Sequence, residues 1–123
     1  MKEKITVLYV DDSYMLLGSV KRQLESTGEY RVLTTDSLVA ASSMLGDADV
    51  ALLDWDPMGP AMVAACHAAK VPFVIYTGDI SQVRGVKSIH GYPCVVRSKP
   101  ATSMELSACL KSAMELVDEE NQP

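Results

Sequence analysis

The sequence predicts an α/β domain: a doubly wound, five-stranded parallel sheet in strand order 2-1-3-4-5, covered by five helices. Three observations lead there. Short apolar runs alternate with helically spaced apolar patterns along a chain of 123 residues, with no internal repeat or low-complexity tract, which is the pattern of consecutive βα units. The runs Ile5 to Val10, Val50 to Leu53 and Pro72 to Tyr76 are nearly all apolar, as central parallel strands covered on both faces are. Tyr30 to Thr34 alternates, and the run from Cys94 carries Arg97 and Ser98, as edge strands do. Right-handed crossovers then place the first and fifth helices on one face and the other three on the opposite face. They also bring the C-terminal end of every strand to one rim.

Taken in order, Ile5 to Val10 is the first strand, and Asp12 or Ser13 caps a helix carrying Leu16, Leu17, Val20 and Leu24 that stops near Gly28. Tyr30 to Thr34 is the second strand. A small-residue helix from Ser37 to Leu45 is closed by Gly46, and the strand Val50 to Leu53 leads through a Pro- and Gly-rich turn to a short helix beginning near Pro60. After the fourth strand, Pro72 to Tyr76, the fourth helix is assigned to Asp79 to Ile89, although Gly85 and several β-branched residues weaken it. Gly91-Tyr92-Pro93 separates it from a fifth strand, Cys94 to Arg97. The capping box Thr102-Ser103-Met104-Glu105 opens a last helix with an apolar stripe through Leu106, Cys109, Leu110, Ala113 and Val117. The domain is expected over residues 1–118, with residues 119–123 as a solvated tail.

Composition narrows the function classes. With 48% apolar and 22% charged residues, a chain of this length can build one core without disulfides. A net charge of −5 and the lack of Lys/Arg clusters argue against direct nucleic-acid binding, which works through such clusters. Cys66, Cys94 and Cys109 have no close ligand spacing, so they are read as core residues of a reducing compartment. The apolar run after the N-terminus is too short for a signal peptide, and no run has membrane-spanning length, so a cytoplasmic protein is expected. His67 and His90 lack companions at metal-ligand spacing and are read as structural or exposed. Most of the seven methionines sit at helical spacing, as core filling would place them.

The strand-end rim collects the chemistry: Asp11 and Asp12 after the first strand, Asp54 after the third, Thr77 after the fourth and Lys99 after the fifth. Mg²⁺ prefers oxygen ligands and is commonly held by one or two carboxylates, with water and phosphate oxygens completing its shell. Lys99 is a mobile point charge suited to a phosphoryl oxygen, and Asp54 is a carboxylate nucleophile. Taken singly, Asp11 and Asp12 are better read as helix caps, Thr77 as a strand-end residue and Lys99 as a solvated charge. Asp54 in the matching place reverses that preference, so the value of the set is joint.

Val10-Asp11-Asp12, Leu52-Leu53-Asp54, Tyr76-Thr77-Gly78 and Ser98-Lys99-Pro100, at successive strand ends, resemble the motifs of response-regulator receiver domains of two-component signalling. The resemblance, to the flavodoxin-like, CheY-like fold, covers essentially the whole chain. It implies that Asp54 accepts a phosphoryl group from a histidine kinase or phosphotransfer protein. It also implies Mg²⁺ as cofactor, bound directly by Asp12 and Asp54, through water by Asp11 and by the backbone carbonyl of Asp56. Lys99, Thr77 and the backbone N–H groups of Trp55 or Gly78 would hold phosphoryl oxygens. Signalling would pass through the fourth helix, fifth strand and fifth helix to a downstream protein or a fused output domain, with no membrane or nucleic acid contacted directly.

Two departures stand out. The turn Asp54-Trp55-Asp56-Pro57-Met58-Gly59-Pro60 is rearranged relative to the family and adds Asp56, and Val96 stands where the family commonly has a switching Tyr or Phe. A phosphate-independent interaction module is therefore an alternative. A weaker one rests on Asp54-Trp55-Asp56, which resembles the DxD of haloacid-dehalogenase-type phosphatases.

Overall fold

The structure, a computed structural model, describes residues 3–56, 58–79, 88–89, 92–93 and 95–120, with 88–89, 92–93 and 117–120 described as backbone only. The elements are β1 (Ile5–Val10), α1 (Tyr14–Glu25), β2 (Tyr30–Thr35), α2 (Leu38–Met44), a single 3-10 turn (Leu45–Asp47), β3 (Val50–Leu53), α3 (Gly59–Ala69), β4 (Phe73–Thr77), β5 (Ser88–Ile89), β6 (Tyr92–Pro93), β7 (Val95–Ser98) and α4 (Ser103–Glu120). The main sheet runs β2-β1-β3-β4-β7 with every neighbouring pair parallel. This is the expected strand order, β7 being the fifth strand of that sheet.

The two sides of the sheet carry separate cores. Val7, Tyr9, Val32, Leu52, Val74 and Tyr76 pack under Leu17, Val20 and Leu24 of α1 and Leu106, Leu110 and Ala113 of α4. Leu8, Val10, Ala51, Leu53, Phe73 and Ile75 pack under Ala41 of α2, Leu45, and Met62, Val63 and Cys66 of α3. Successive strand residues therefore serve opposite layers, as the two-residue repeat of a strand requires. Leu16, at the shoulder of the α1 stripe, is only half-buried. Cys66 is buried and Cys109 half-buried, whereas Cys94 and His90 lie outside the described residues. His67 is exposed on α3.

Helix boundaries follow local chemistry. The Ser13 hydroxyl accepts from the Leu16 N–H at 3.3 Å to open α1, and Ser37 does the same for Ala40 at the start of α2. Gly28, at φ +80°, takes the left-handed turn after α1 that a side chain would resist. Both bonds of the capping box form, Glu105 N–H to Thr102 Oγ1 and Thr102 N–H to Glu105 Oε1. With no Gly or Pro to stop it, α4 continues to Glu120, past the start of the tail expected from the sequence. No helix among the described residues is long and apolar enough to cross a membrane.

The helix expected over Asp79 to Ile89 is corrected at its end. Ser88 and Ile89 pair antiparallel with Pro93 and Tyr92, so this part of the chain is strand. Residues 80–87 lie outside the described residues.

At the outer edge of the sheet, α1 closes the exposed backbone of β2. Lys21 Nζ donates to the Val32 carbonyl at 2.7 Å, and Glu25 Oε2 accepts from the Val32 N–H at 3.0 Å and from Lys21 at 3.2 Å.

Candidate functional site

Backbone bonds carry the sheet ladder one step beyond its strands and set the rim. Asp54 N–H donates to the Val10 carbonyl at 2.9 Å, Asp11 N–H to Thr35 at 3.3 Å, and Lys99 N–H to Thr77 at 2.8 Å. The residues that end β1, β3, β4 and β7 are thereby aligned at one edge. Asp11 is buried, Asp54 half-buried and Asp12 exposed, and each offers a carboxylate oxygen within 4.8 Å of the others'.

Lys99 is the hub. Its Nζ lies 2.7 Å from Asp11 Oδ2 and 3.3 Å from Asp54 Oδ1, and 5.5 Å from the centre of the Tyr76 ring. Asp11 takes two further donors: the Tyr9 hydroxyl on Oδ2 at 2.5 Å and the Ser13 N–H on Oδ1 at 2.9 Å. Burial alone would push the Asp11 carboxyl up, but the bonds from Lys99, Tyr9 and Ser13 hold it below its ordinary value. Asp54 goes the other way. Burial and the neighbouring Asp11 charge raise its carboxyl to about 6, against the opposing pull of Lys99. Burial and the bond to Asp11 raise the Tyr9 phenol, so it acts as a donor.

Three carboxylates face a single described ammonium, and the charge of one already resists ionisation of another. An all-oxygen donor set with excess negative charge suits a hard divalent cation such as Mg²⁺. Asp11, Asp12 and Asp54 are the side chains that fit it.

Of the residues expected from the sequence, Asp11, Asp12, Asp54 and Lys99 are brought together. Thr77 is buried at the adjacent strand end, where its hydroxyl accepts from the Asp79 N–H at 3.2 Å and so braces the loop after β4. Gly78 is exposed in that loop. Asp56 is exposed in the turn after β3, while Trp55 is half-buried against the α2/α3 core. Gly59 makes room for that indole: a Cβ there would come within 2.7 Å of Trp55 Cε3. Val96 packs against the same core.

Two tyrosines were missed by sequence reasoning. Tyr9 supports Asp11 from below, and Tyr76 lies under Lys99 while its hydroxyl accepts from the Ala101 N–H at 2.9 Å. The available signal was a phenol in each of two largely apolar central strands, because a buried hydroxyl requires a partner.

No protein-family model matches the sequence, and no curated protein sequence matches it significantly. Solved structures do match along nearly the whole chain. The signal receiver domain of a modulated diguanylate cyclase from Desulfovibrio desulfuricans is 25% identical, with a TM-score of 0.79 covering 97% of this chain and 100% of that one. A response regulator receiver domain protein (CheY-like) from Methanospirillum hungatei is 22% identical, with a TM-score of 0.77 over 97% and 100% of the two chains. The signal receiver domain of an HD domain-containing protein from Pseudomonas fluorescens is 22% identical, with a TM-score of 0.72 over 95% and 99%. The chain has the fold of response-regulator receiver domains.

Proposed function

We propose that this domain is the phosphoacceptor receiver of a two-component response regulator, with Asp54 as the acceptor. The observation that carries the reading is the Lys99 ammonium set between Asp11 and Asp54 at the strand-end rim. A carboxylate oxygen of Asp54 attacks the phosphorus of a phosphohistidine on a sensor histidine kinase or phosphotransfer protein. The O–P bond forms as the P–N bond breaks, and the imidazole nitrogen keeps that electron pair and takes up a proton from solvent. Asp12 and Asp54, with Asp11 and the Asp56 carbonyl, would hold Mg²⁺, which would supply charge neutralisation for the phosphoryl group. Lys99, Thr77 and the N–H groups of Trp55 and Gly78 bind the phosphoryl oxygens, so catalysis is positioning and charge neutralisation.

The output is a change at the loop after Thr77 that spreads to β7 and α4 and is read by a downstream protein or a fused domain in the cytoplasm. Turnover chemistry is not part of this reading. The Asp54-Trp55-Asp56 sequence follows β3, whereas the phosphatases it resembles carry theirs on a first strand.

The test is intact-protein mass after incubation with Mg²⁺ and acetyl phosphate, beside an Asp54→Asn control. Addition of one phosphoryl group to the parent alone is expected. If neither protein gains mass with acetyl phosphate or a phosphorylated histidine donor, the phosphate-independent module replaces this reading.

A further inference from the structure

We propose that Tyr9 is a positioning residue for Lys99: its hydroxyl keeps Asp11 Oδ2 satisfied, which lets Lys99 leave Asp11 for a phosphoryl group on Asp54. The inference rests on the receiver reading and assigns Tyr9 a part in it. Asp11 Oδ2 carries two donors, Lys99 Nζ at 2.7 Å and the Tyr9 hydroxyl at 2.5 Å, while Oδ1 has the Ser13 N–H. Lys99 therefore rests nearer Asp11 than Asp54, whose Oδ1 is 3.3 Å away. A phosphoryl group brings close to two negative charges and draws Lys99 across.

That move takes an ammonium from a carboxylate whose side chain is only 1% exposed. An anion so buried is strongly disfavoured once its partner leaves, unless another donor stays. Tyr9 is that donor. Its side chain is fully buried in the apolar α1/α4 core, and Asp11 lies two residues along the same strand direction, on the same side of the chain. Without the hydroxyl, Lys99 would be the sole side-chain donor to Oδ2, and Asp11 would hold it back.

A core tyrosine that merely packs well would stabilise the fold whatever stands at position 99, so coupling to Lys99 separates the two roles. Binding of beryllofluoride at saturating Mg²⁺ is followed by Trp55 fluorescence in the parent, Tyr9→Phe, Lys99→Met and the double variant, with Mg²⁺ binding alone as the companion titration. In the Lys99 background, Tyr9→Phe is expected to weaken beryllofluoride binding about tenfold, the loss of one bond to a charged group, and to leave Mg²⁺ affinity within about twofold. In the Lys99→Met background the same change is expected to cost less than about twofold. Equal weakening in both backgrounds, or none in either, overturns the proposal. In the unaltered protein, the Tyr9 hydroxyl proton should persist in the ¹H NMR spectrum after beryllofluoride is added, while the Lys99 ammonium signal shifts. Loss of the hydroxyl signal also overturns the proposal. A parent that binds no beryllofluoride overturns the receiver reading itself, and is distinguishable from an indifferent Tyr9.

Discussion

Asp11 and Asp54 lie on neighbouring strand ends, yet their carboxyls are displaced in opposite directions. Asp54, raised from 3.8 to about 6, favours its neutral form in the fold, because burial and Asp11 penalise its charge. The folded state therefore holds a proton that the unfolded chain has released, and stability from this group is present below about pH 4 and lost as pH rises to about 6. Asp11, held low, contributes in the opposite sense, and its part is lost as pH falls. In cation-free buffer, Asp54→Asn should be more stable than the parent at pH 7, and the gap should close below pH 4 and shrink when Mg²⁺ is added. Urea unfolding across that range checks it; parallel profiles for the two proteins would contradict the crowding. These acids were legible because a strand-end position can be read from an apolar run and its stop. Tyr9 and Tyr76 were not, since a tyrosine in such a run looks like any large core residue until the partner of its hydroxyl is known.

Between β3 and α3 the chain turns within a few residues, and Gly59 lies against the Trp55 ring. Gly59→Ala would place its methyl group 2.7 Å from Cε3 and 3.0 Å from Cδ2, with the Asp54 carbonyl at 3.4 Å. Either the indole or the backbone must yield. We expect a loss of about 1–3 kcal/mol in urea unfolding, together with a red-shifted Trp55 emission as the ring is pushed outward. An unchanged spectrum and midpoint would mean that the turn absorbs the methyl group freely. This turn was recognised from sequence as rearranged, but the packing of Trp55 on Gly59 was not, because it joins residues across a bend whose path the motif does not specify. Caps were more readable. Ser13 and the Thr102/Glu105 pair make bonds to residues three positions along the chain, so local spelling is enough. The stretch ending at Ile89 read poorly because Gly85 and its β-branched residues left helix and strand nearly balanced.

Across the whole molecule, the edge and central places of the strands were legible from polarity: four-residue β3 is wholly buried, while β2 and β7 mix buried or half-buried with exposed positions. The route from the rim to the surface is harder to read. Val96 packs against the α2/α3 core and cannot swing as an aromatic would, so under the proposed receiver reading the change at Asp54 would pass through the Thr77 loop and the backbone beside it. Amide spectra with and without beryllofluoride and Mg²⁺ should show changes at Thr77 to Asp79 and along β7, with the Val96 methyl signals nearly fixed. No change anywhere in residues 77–97 would remove this route. The clasp of Lys21 and Glu25 over Val32 has a bearing on the company the molecule keeps. An open sheet margin invites strands from other chains, and that margin is where aggregation by edge-to-edge pairing begins. With the Val32 amide and carbonyl already occupied by its own helix, the middle of the β2 flank is interrupted as a template for a strand from another chain.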